Sequence, residues 1–309
     1  MPRQSRPLPP PELLPRVSRP RRPDVDPLAL LARLAPGLRA PQVTELGEGW
    51  DNVAYAVDGR LLLRVSKHAD PRARAEEVER DAGLLQFAGR HSSLATNEVL
   101  ASDPQAGALL LTLVAGETAD VQPPTDGRSF AAAMAAFLTR LHSAPAVEAA
   151  AVAQVDQTLE SWFAETVAGW EGVRSAVPMD DRLAVDDFLV LERPATPRRV
   201  TFCHNDLGDE HIVMGAGGAE VAGVIDWSDA ILGDPARDLA LLWLDFGTVV
   251  VDNVLAGYQG PVEGDLRARS WWYAAHAGVE GLTYRTRHLP HTVDEAIRRL
   301  RHVLAEGAA

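Results

Sequence analysis

The run CHNDLGDEH at residues 203–211 puts His204, Asp206 and His211 on one short stretch, and VAGVIDW at 221–227 carries an apolar run into Asp226. Phosphoryl transfer asks little covalent chemistry of a protein. It needs an acceptor hydroxyl held in place, a group to take its proton, and cations on the phosphates. Asp206 suits the proton acceptor, because a carboxylate just past a strand end reaches into a cleft from a rigid support. Asp226 suits a magnesium ligand, since that ion prefers carboxylate oxygens. His211 is the irregular member, because loops of the form H-x-D-x-x-x-x-N carry Asn there. Imidazole favours zinc, copper, iron or nickel over magnesium. His211 is therefore read as a ligand through a ring nitrogen, or as a hydrogen-bond donor to a phosphate or to Asp226. A dedicated zinc site has no further His or Cys spacing behind it.

The residues around this set have supporting readings. His204 fixes the loop backbone, and Cys203, the only cysteine, is a buried filler at the strand end. Asp234-Pro235 has the form of a helix cap with proline at the first helical position. Asp238, one turn later, is placed to brace the catalytic loop, and Asp229 lies close enough to Asp226 to shape its turn.

The nucleotide side is written less clearly. GEGWDN (47–52) sets Gly47, Gly49 and Asn52 in a hairpin whose backbone amides could cover phosphates. It lacks the G-K-[ST] of a Walker A loop, and a hairpin rather than a helix follows, which excludes the dinucleotide fingerprint. LLLRV (61–65) offers Arg64 as a phosphate clamp, with Lys67 as the rival cation. The acid that would orient this cation is expected on the next helix. Asp81 is preferred to Glu77, one turn earlier, because Leu84 and Leu85 then place it beside the apolar face. In LLLTLVAGE (109–117), backbone groups around Thr112 and Val114 could bond a purine edge.

These residues need two kinds of support. Residues 43–49, 53–57 and 61–65 are β-type runs, the last two joined by Asp58-Gly59, a hairpin signal. A helix is expected over 72–88, then strands at 97–101 and 108–114. Beyond Gly116 the chain turns helical and Ala-rich, with Phe130, Met134, Phe137, Leu138 and Leu141 on one helical face. Further helices are expected near 156–173, 179–191, 234–246, 264–283 and 292–306. Among them lie strand-like segments at 200–206, 211–215 and 221–227. The expected organisation is a disordered Pro/Arg-rich tail (1–24), a nucleotide-binding lobe (25–115) and a helical catalytic and substrate lobe (116–309).

At 309 residues the chain can bury a substantial core, and 46% apolar with 24% charged residues is ordinary for a globular protein. A lone cysteine fits a reducing compartment. No apolar run reaches the ~20 residues of a membrane helix, and the N-terminus has no apolar segment of the signal-peptide kind, so a cytoplasmic location is expected. The net charge of −13 divides into +5 over residues 1–22 and −18 over the rest. An acidic body disfavours nucleic acid and anionic membranes and suits a cationic small molecule.

HNDLGDEHIV followed by GVIDWSDAILGDPARDLA resembles the signatures of the aminoglycoside phosphotransferase family within the protein-kinase-like superfamily. GEGWDNVAYAV and LLLRVSKH lie where that family's nucleotide loop and third strand fall. The resemblance spans roughly residues 43–243 and implies an α+β, two-lobe fold with a small β-rich N-lobe and a larger helical C-lobe. It implies ATP or GTP and Mg²⁺ as cofactors, Asp206 as base, His211 and Asp226 as metal ligands, and Arg64 as phosphate clamp. The implied activity is transfer of the γ-phosphate to a hydroxyl of an antibiotic, with an aminoglycoside expected. His at 211 and Arg at 64 also resemble the macrolide-phosphorylating branch. Glu160, Glu165 and Glu280 are candidate amine contacts, and Trp271-Trp272-Tyr273 could line a larger apolar pocket. A metabolic kinase of choline, homoserine or a sugar, and a non-catalytic nucleotide-binding module, stay open.

Overall fold

The computed structural model describes residues 19–22 and 25–307, so the tail expected over 1–24 lies outside the described residues except at 19–22. The chain divides into two compact units. The first runs to Glu79 and includes Val99–Leu113; the second takes Arg80–Glu98 and the chain from Val114 onward.

The first unit is built on an antiparallel sheet of order β1-β2-β3-β5-β4, with β1 Val43–Glu48, β2 Asn52–Val57, β3 Leu61–Ser66, β4 Val99–Asp103 and β5 Ala108–Thr112. The β2–β3 hairpin turns through Asp58 and Gly59, both at positive φ (53° and 64°), as an Asp-Gly turn of the primed kind requires. Along β3, Leu61, Leu63 and Val65 are buried while Leu62 and Arg64 on the alternate face are half-buried. Helix α1 (Pro27–Leu34) starts at Pro27, its Asp26 cap accepting the Leu28 amide, and lays Leu30 and Leu31 on Val57, Leu63 and Leu110. Residues 19–22 are tied to this unit. Arg21 pairs with Glu45 and Glu48, Arg19 with Asp51, and Arg22 donates to the Ala106 carbonyl. Helix α2 (Pro71–His91) begins in the first unit and ends in the second.

The second unit is mainly helical, with two three-stranded sheets. One has the order β7-β11-β8 (Gln154–Val155, Ile231–Gly233, Thr201–Cys203), and the other β10-β9-β6 (Val221–Val224, Ile212–Met214, Glu117–Thr118). Helix α3 (Gly127–His142) buries the Phe130, Met134, Phe137, Leu138 and Leu141 face that periodicity predicts. Helices α5 (Leu159–Glu171), α6 (Met179–Leu189), α7 (Ala236–Phe246), α9 (Leu266–His288) and α10 (Val293–Gly307) fall within a few residues of expectation, and a short α4 (Ala146–Ala149) precedes β7.

Several features differ from expectation, the short α4, β6 and β7 among them. Helix α8 (Thr248–Gly257) was not anticipated. It forms despite the β-branched run Val249–Val251 because Val251 and Val254 are buried. Strand β11 is too short to leave a periodic signal. The strand expected over 221–227 ends at Val224, so Asp226 lies in a turn beyond it. Under this region Phe202 stacks on Trp227 (centroids 6.0 Å, 6° between planes), with Phe87 and Phe137 edge-on at 4.7 and 6.2 Å. Among the described residues no helix is long and apolar enough to cross a membrane.

Candidate active site

Strand β8 delivers the chain to His204 and Asp206, and β10 delivers it to Asp226. One imidazole links the two deliveries. His204, fully buried, donates from Nε2 to the Ile225 carbonyl at 2.9 Å and accepts the Asp206 amide on Nδ1 at 3.3 Å. That arrangement needs the neutral ring, and burial does hold the His204 pKa below the ordinary value. Its ring packs on Trp227 at 4.6 Å.

Asp238, on the first turn of α7, braces the same loop. It is fully buried, and its two oxygens receive the His204 amide at 2.9 Å, the Asn205 amide at 2.7 Å and His142 Nε2 at 3.0 Å. His142 Nδ1 in turn meets the Tyr258 hydroxyl at 2.9 Å. Burial opposes ionisation of Asp238, but the bonds from His142 and the loop amide prevail and lower its pKa. His142, Cys203 and Asp238 bring ligand atoms within 4.8 Å of one another, but those of Asp238 and His142 are engaged in holding the loop. Asp234 accepts the Ala236 amide at the start of α7 and pairs with the buried Arg269 at 2.8 Å, the structural role its Pro-flanked position predicts.

The structure brings Asp206, His211 and Asp226 together. A 3₁₀ turn over Asp209–His211 swings the His211 ring back so that Nδ1 donates to the Asp206 carbonyl at 2.7 Å and lies 3.5 Å from its carboxylate. Nε2 then faces Asp226, 3.9 Å from Oδ2. Asn205 and Asp226 both sit in the left-handed region, at φ 70° and 59°. Asn and Asp tolerate that region better than other residues with a side chain, and such backbone gathers at working sites. The Asn205 amide group donates to the Asp229 carbonyl, tying the two turns together. Burial raises the Asp206 pKa to about 6, with His211 opposing and the Asp229, Glu210 and Asp226 charges adding. Burial opposes the charged form of His211, but Asp206 and Asp226 outweigh it and raise its pKa.

A single divalent ion fits this donor set. Oxygen or nitrogen ligands ~2.1 Å from one ion lie at most about 4.2 Å apart, and His211 Nε2 and Asp226 Oδ2 fall inside that span. The bond from Nδ1 to the Asp206 carbonyl leaves the lone pair on Nε2, the nitrogen that faces Asp226. The Ser228 hydroxyl, which sequence reasoning passed over, lies 3.1 Å from Asp226 Oδ1 and 3.3 Å from Asp81 Oδ2 and can give its one proton to either carboxylate.

The residues expected to serve a nucleotide are divided between the units. In the first, the β1–β2 turn closes with the Gly49 amide donating to the Asn52 carbonyl at 2.9 Å. Lys67, with 1% of its side chain exposed, pairs with Glu48 at 2.6 Å and donates to the Gly49 carbonyl at 2.7 Å. Glu77 accepts from Asn52 at 3.1 Å and from Ser66. Arg64 sits mid-strand on β3 opposite Ala54 and Leu109, and Thr112 ends β5. Asp81 and Val114 belong to the second unit. There Arg80 donates to Asp81 at 3.0 Å, and Val114 lies where a Cβ on Gly223 would come within 2.7 Å of it. The rivals weighed in the sequence, Lys67 and Glu77, thus stand beside Gly49 and Asn52. Glu48 carried no sequence signal because an acidic residue on a strand is ordinary.

The remaining candidates line other ground. A cavity of about 240 Å³ in the second unit is walled by Trp162 and Tyr273 with Asp156, Glu160 and Asp234, at the end of β8 away from the catalytic loop. Arg237 neutralises Asp156 and covers Trp162 at 3.9 Å. Glu280 accepts from Thr166 at 3.0 Å, and burial raises its pKa to about 7. Trp272 and Tyr273 are buried.

Comparison with known proteins places the chain among phosphotransferases. Viomycin phosphotransferase of Streptomyces vinaceus is 38% identical over 55 residues, which is 17% of this chain and 19%, about a fifth, of that protein's length. The wild-type aminoglycoside 2'-phosphotransferase-IIIa structure in complex with GDP superposes with a TM-score of 0.73 at 19% identity, covering 90% of this chain and 97% of that one. Macrolide 2'-phosphotransferase type I gives 0.64 at 23% identity over 88% and 94%. These likenesses establish a kinase-like fold. The phosphotransferase enzyme family matches residues 42–273, three-quarters of the sequence, and the chain belongs to that family.

Proposed function

We propose that this protein transfers the γ-phosphoryl group of ATP or GTP to a hydroxyl of a small-molecule antibiotic, with an aminoglycoside as the acceptor class, and that it works in the cytoplasm. The observation that carries the reading is the convergence of Asp206, His211 and Asp226 on two braced turns. The Asp206 carboxylate takes the acceptor's proton. With a pKa of about 6 it is mostly ionised at neutral pH and still a better base than an ordinary carboxylate. His211 and Asp226 would hold Mg²⁺, which when bound neutralises charge on the phosphates. The Gly47–Asn52 turn, with Lys67 or Arg64, would hold the phosphates, and backbone groups of Thr112 and Val114 the base.

The acidic body suits a polycationic acceptor, and the similar proteins named above are phosphotransferases of aminoglycosides, macrolides and viomycin. The deciding experiment incubates purified protein, Mg²⁺ and γ-labelled ATP or GTP with aminoglycosides, macrolides, viomycin, choline, homoserine and simple sugars. Labelled aminoglycoside supports the proposal, and label on another acceptor reassigns the substrate. Nucleotide binding with no transfer to any acceptor would overturn the catalytic reading in favour of a binding module.

A further inference from the structure

The turn that carries His211 to Asp206 is pinned at its middle as well as at its start. Asp245, on the last turn of α7 with 7% of its side chain exposed, accepts the Asp209 amide through Oδ2 at 3.1 Å. Its Oδ1 receives Arg299 of α10 at 2.7 Å. Arg299 also reaches the Asp209 carboxylate at 3.9 Å and pairs with Glu295 at 3.0 Å. Gly208 comes so near that a Cβ there would stand 3.3 Å from Asp245 Oδ2.

Helix geometry explains why one helix can hold the loop at two points. Asp238 and Asp245 are seven residues apart on α7, which returns the side chain to nearly the same face about 10.5 Å further along. The first takes the amides of His204 and Asn205, the second that of Asp209. Asp206, whose carboxylate acts, and Gly208, which lets the backbone approach, lie between the anchors. Asp209 and Asp245 are two carboxylates in a largely buried place, and Arg299 reaches both, where its charge offsets their repulsion.

We infer that Asp245 and Arg299 are positioning residues for the Asp206–His211 pair, so that the C-terminal helix α10 takes part in setting the geometry of phosphoryl transfer. The inference rests on the reading of Asp206 as the base. Asp245→Ala removes the acceptor of the Asp209 amide, and Arg299→Ala, at a side chain 36% exposed, removes the counter-charge while sparing the core.

The test measures hydrogen exchange over residues 204–214 and steady-state kinetics in both variants. Exchange at the Asp209 amide is expected to rise roughly tenfold or more with α9 unchanged. kcat is expected to fall roughly tenfold or more with nucleotide KM unchanged, and Arg299→Lys to recover part of it. Wild-type exchange over 204–214 in both variants, or unchanged kcat, would overturn the inference. A wild-type protein that transfers phosphate to no acceptor would remove the functional reading, and exchange would still report whether the turn is pinned.

Discussion

Asp238 accepts the backbone amides of both His204 and Asn205 from a position with no solvent exposure. A buried carboxylate held by two amides and an imidazole is stable only while all its partners stay. Asp238→Ala leaves two amides and His142 Nε2 without their acceptor, and is expected to destabilise the second unit by roughly 3–5 kcal/mol in urea unfolding. Because the Asp238 pKa is depressed, its stabilising contribution is present above the unfolded carboxyl value and is lost as pH falls through the folded one. The acid sensitivity of wild-type unfolding should therefore shrink in Asp238→Asn.

Asp206 should set the acid limb of activity. Its raised pKa means the base form is lost as pH falls through about 6, so at saturating magnesium kcat/KM is expected to drop below that value and level off above it. Asp206→Asn should lower kcat by roughly 10²–10⁴-fold with nucleotide binding retained. For stability the sign is the reverse of that for Asp238. A raised folded pKa contributes stability below the unfolded value of 3.8, and that contribution is lost as pH rises through about 6. A limb near 4, or none, would remove Asp206 from the base role.

His211 should make metal use depend on pH. Its pKa is raised by Asp206 and Asp226, so a metal must displace a proton to reach Nε2. Magnesium activation of the wild type is expected to weaken from pH 8 to pH 6.5. His211→Asn supplies an oxygen donor with no proton to lose, and its magnesium dependence should be flat over that range. Parallel curves in the two proteins would place the metal elsewhere.

Lys67 and Arg64 can be separated by calorimetry. Lys67 lies under the Gly47–Asn52 turn, while Arg64 sits mid-strand on the face of β3 away from the buried leucines. Lys67→Met is expected to weaken nucleotide binding roughly tenfold, and more than Arg64→Met does. The reverse order would restore Arg64 as the clamp read from the sequence.

What the sequence made legible was local. Asp206 and His211 lie within one loop, and their spacing marks them as candidates once Asp226 is read beside them. The Asp58-Gly59 hairpin and the apolar face of α3 follow from turn chemistry and helical period. Longer-range facts were hidden. Asp81 and Glu77 sit one turn apart on α2, yet they fall in different units, which no pattern within the helix reveals. Asp226 reads as strand, but its backbone is left-handed beyond the end of β10, beside a Trp227 packed on Phe202 and a Ser228 bonded to its carboxylate. Helix α8 is β-branched where propensity opposes a helix, and burial of Val251 and Val254 decides it.

Cys203 gives the protein a built-in reporter. Its thiol has no solvent exposure, contacts the Thr201 hydroxyl at 3.3 Å, and is held well above its ordinary pKa by burial and by Asp238. Thiol reagents attack the thiolate, so the folded chain should resist them and each labelling event should mark an excursion in which β8 has come apart. Because Cys203 is covalently next to His204, the labelling rate times how often the floor beneath the catalytic loop gives way, and a ligand that seats on that loop should slow the clock.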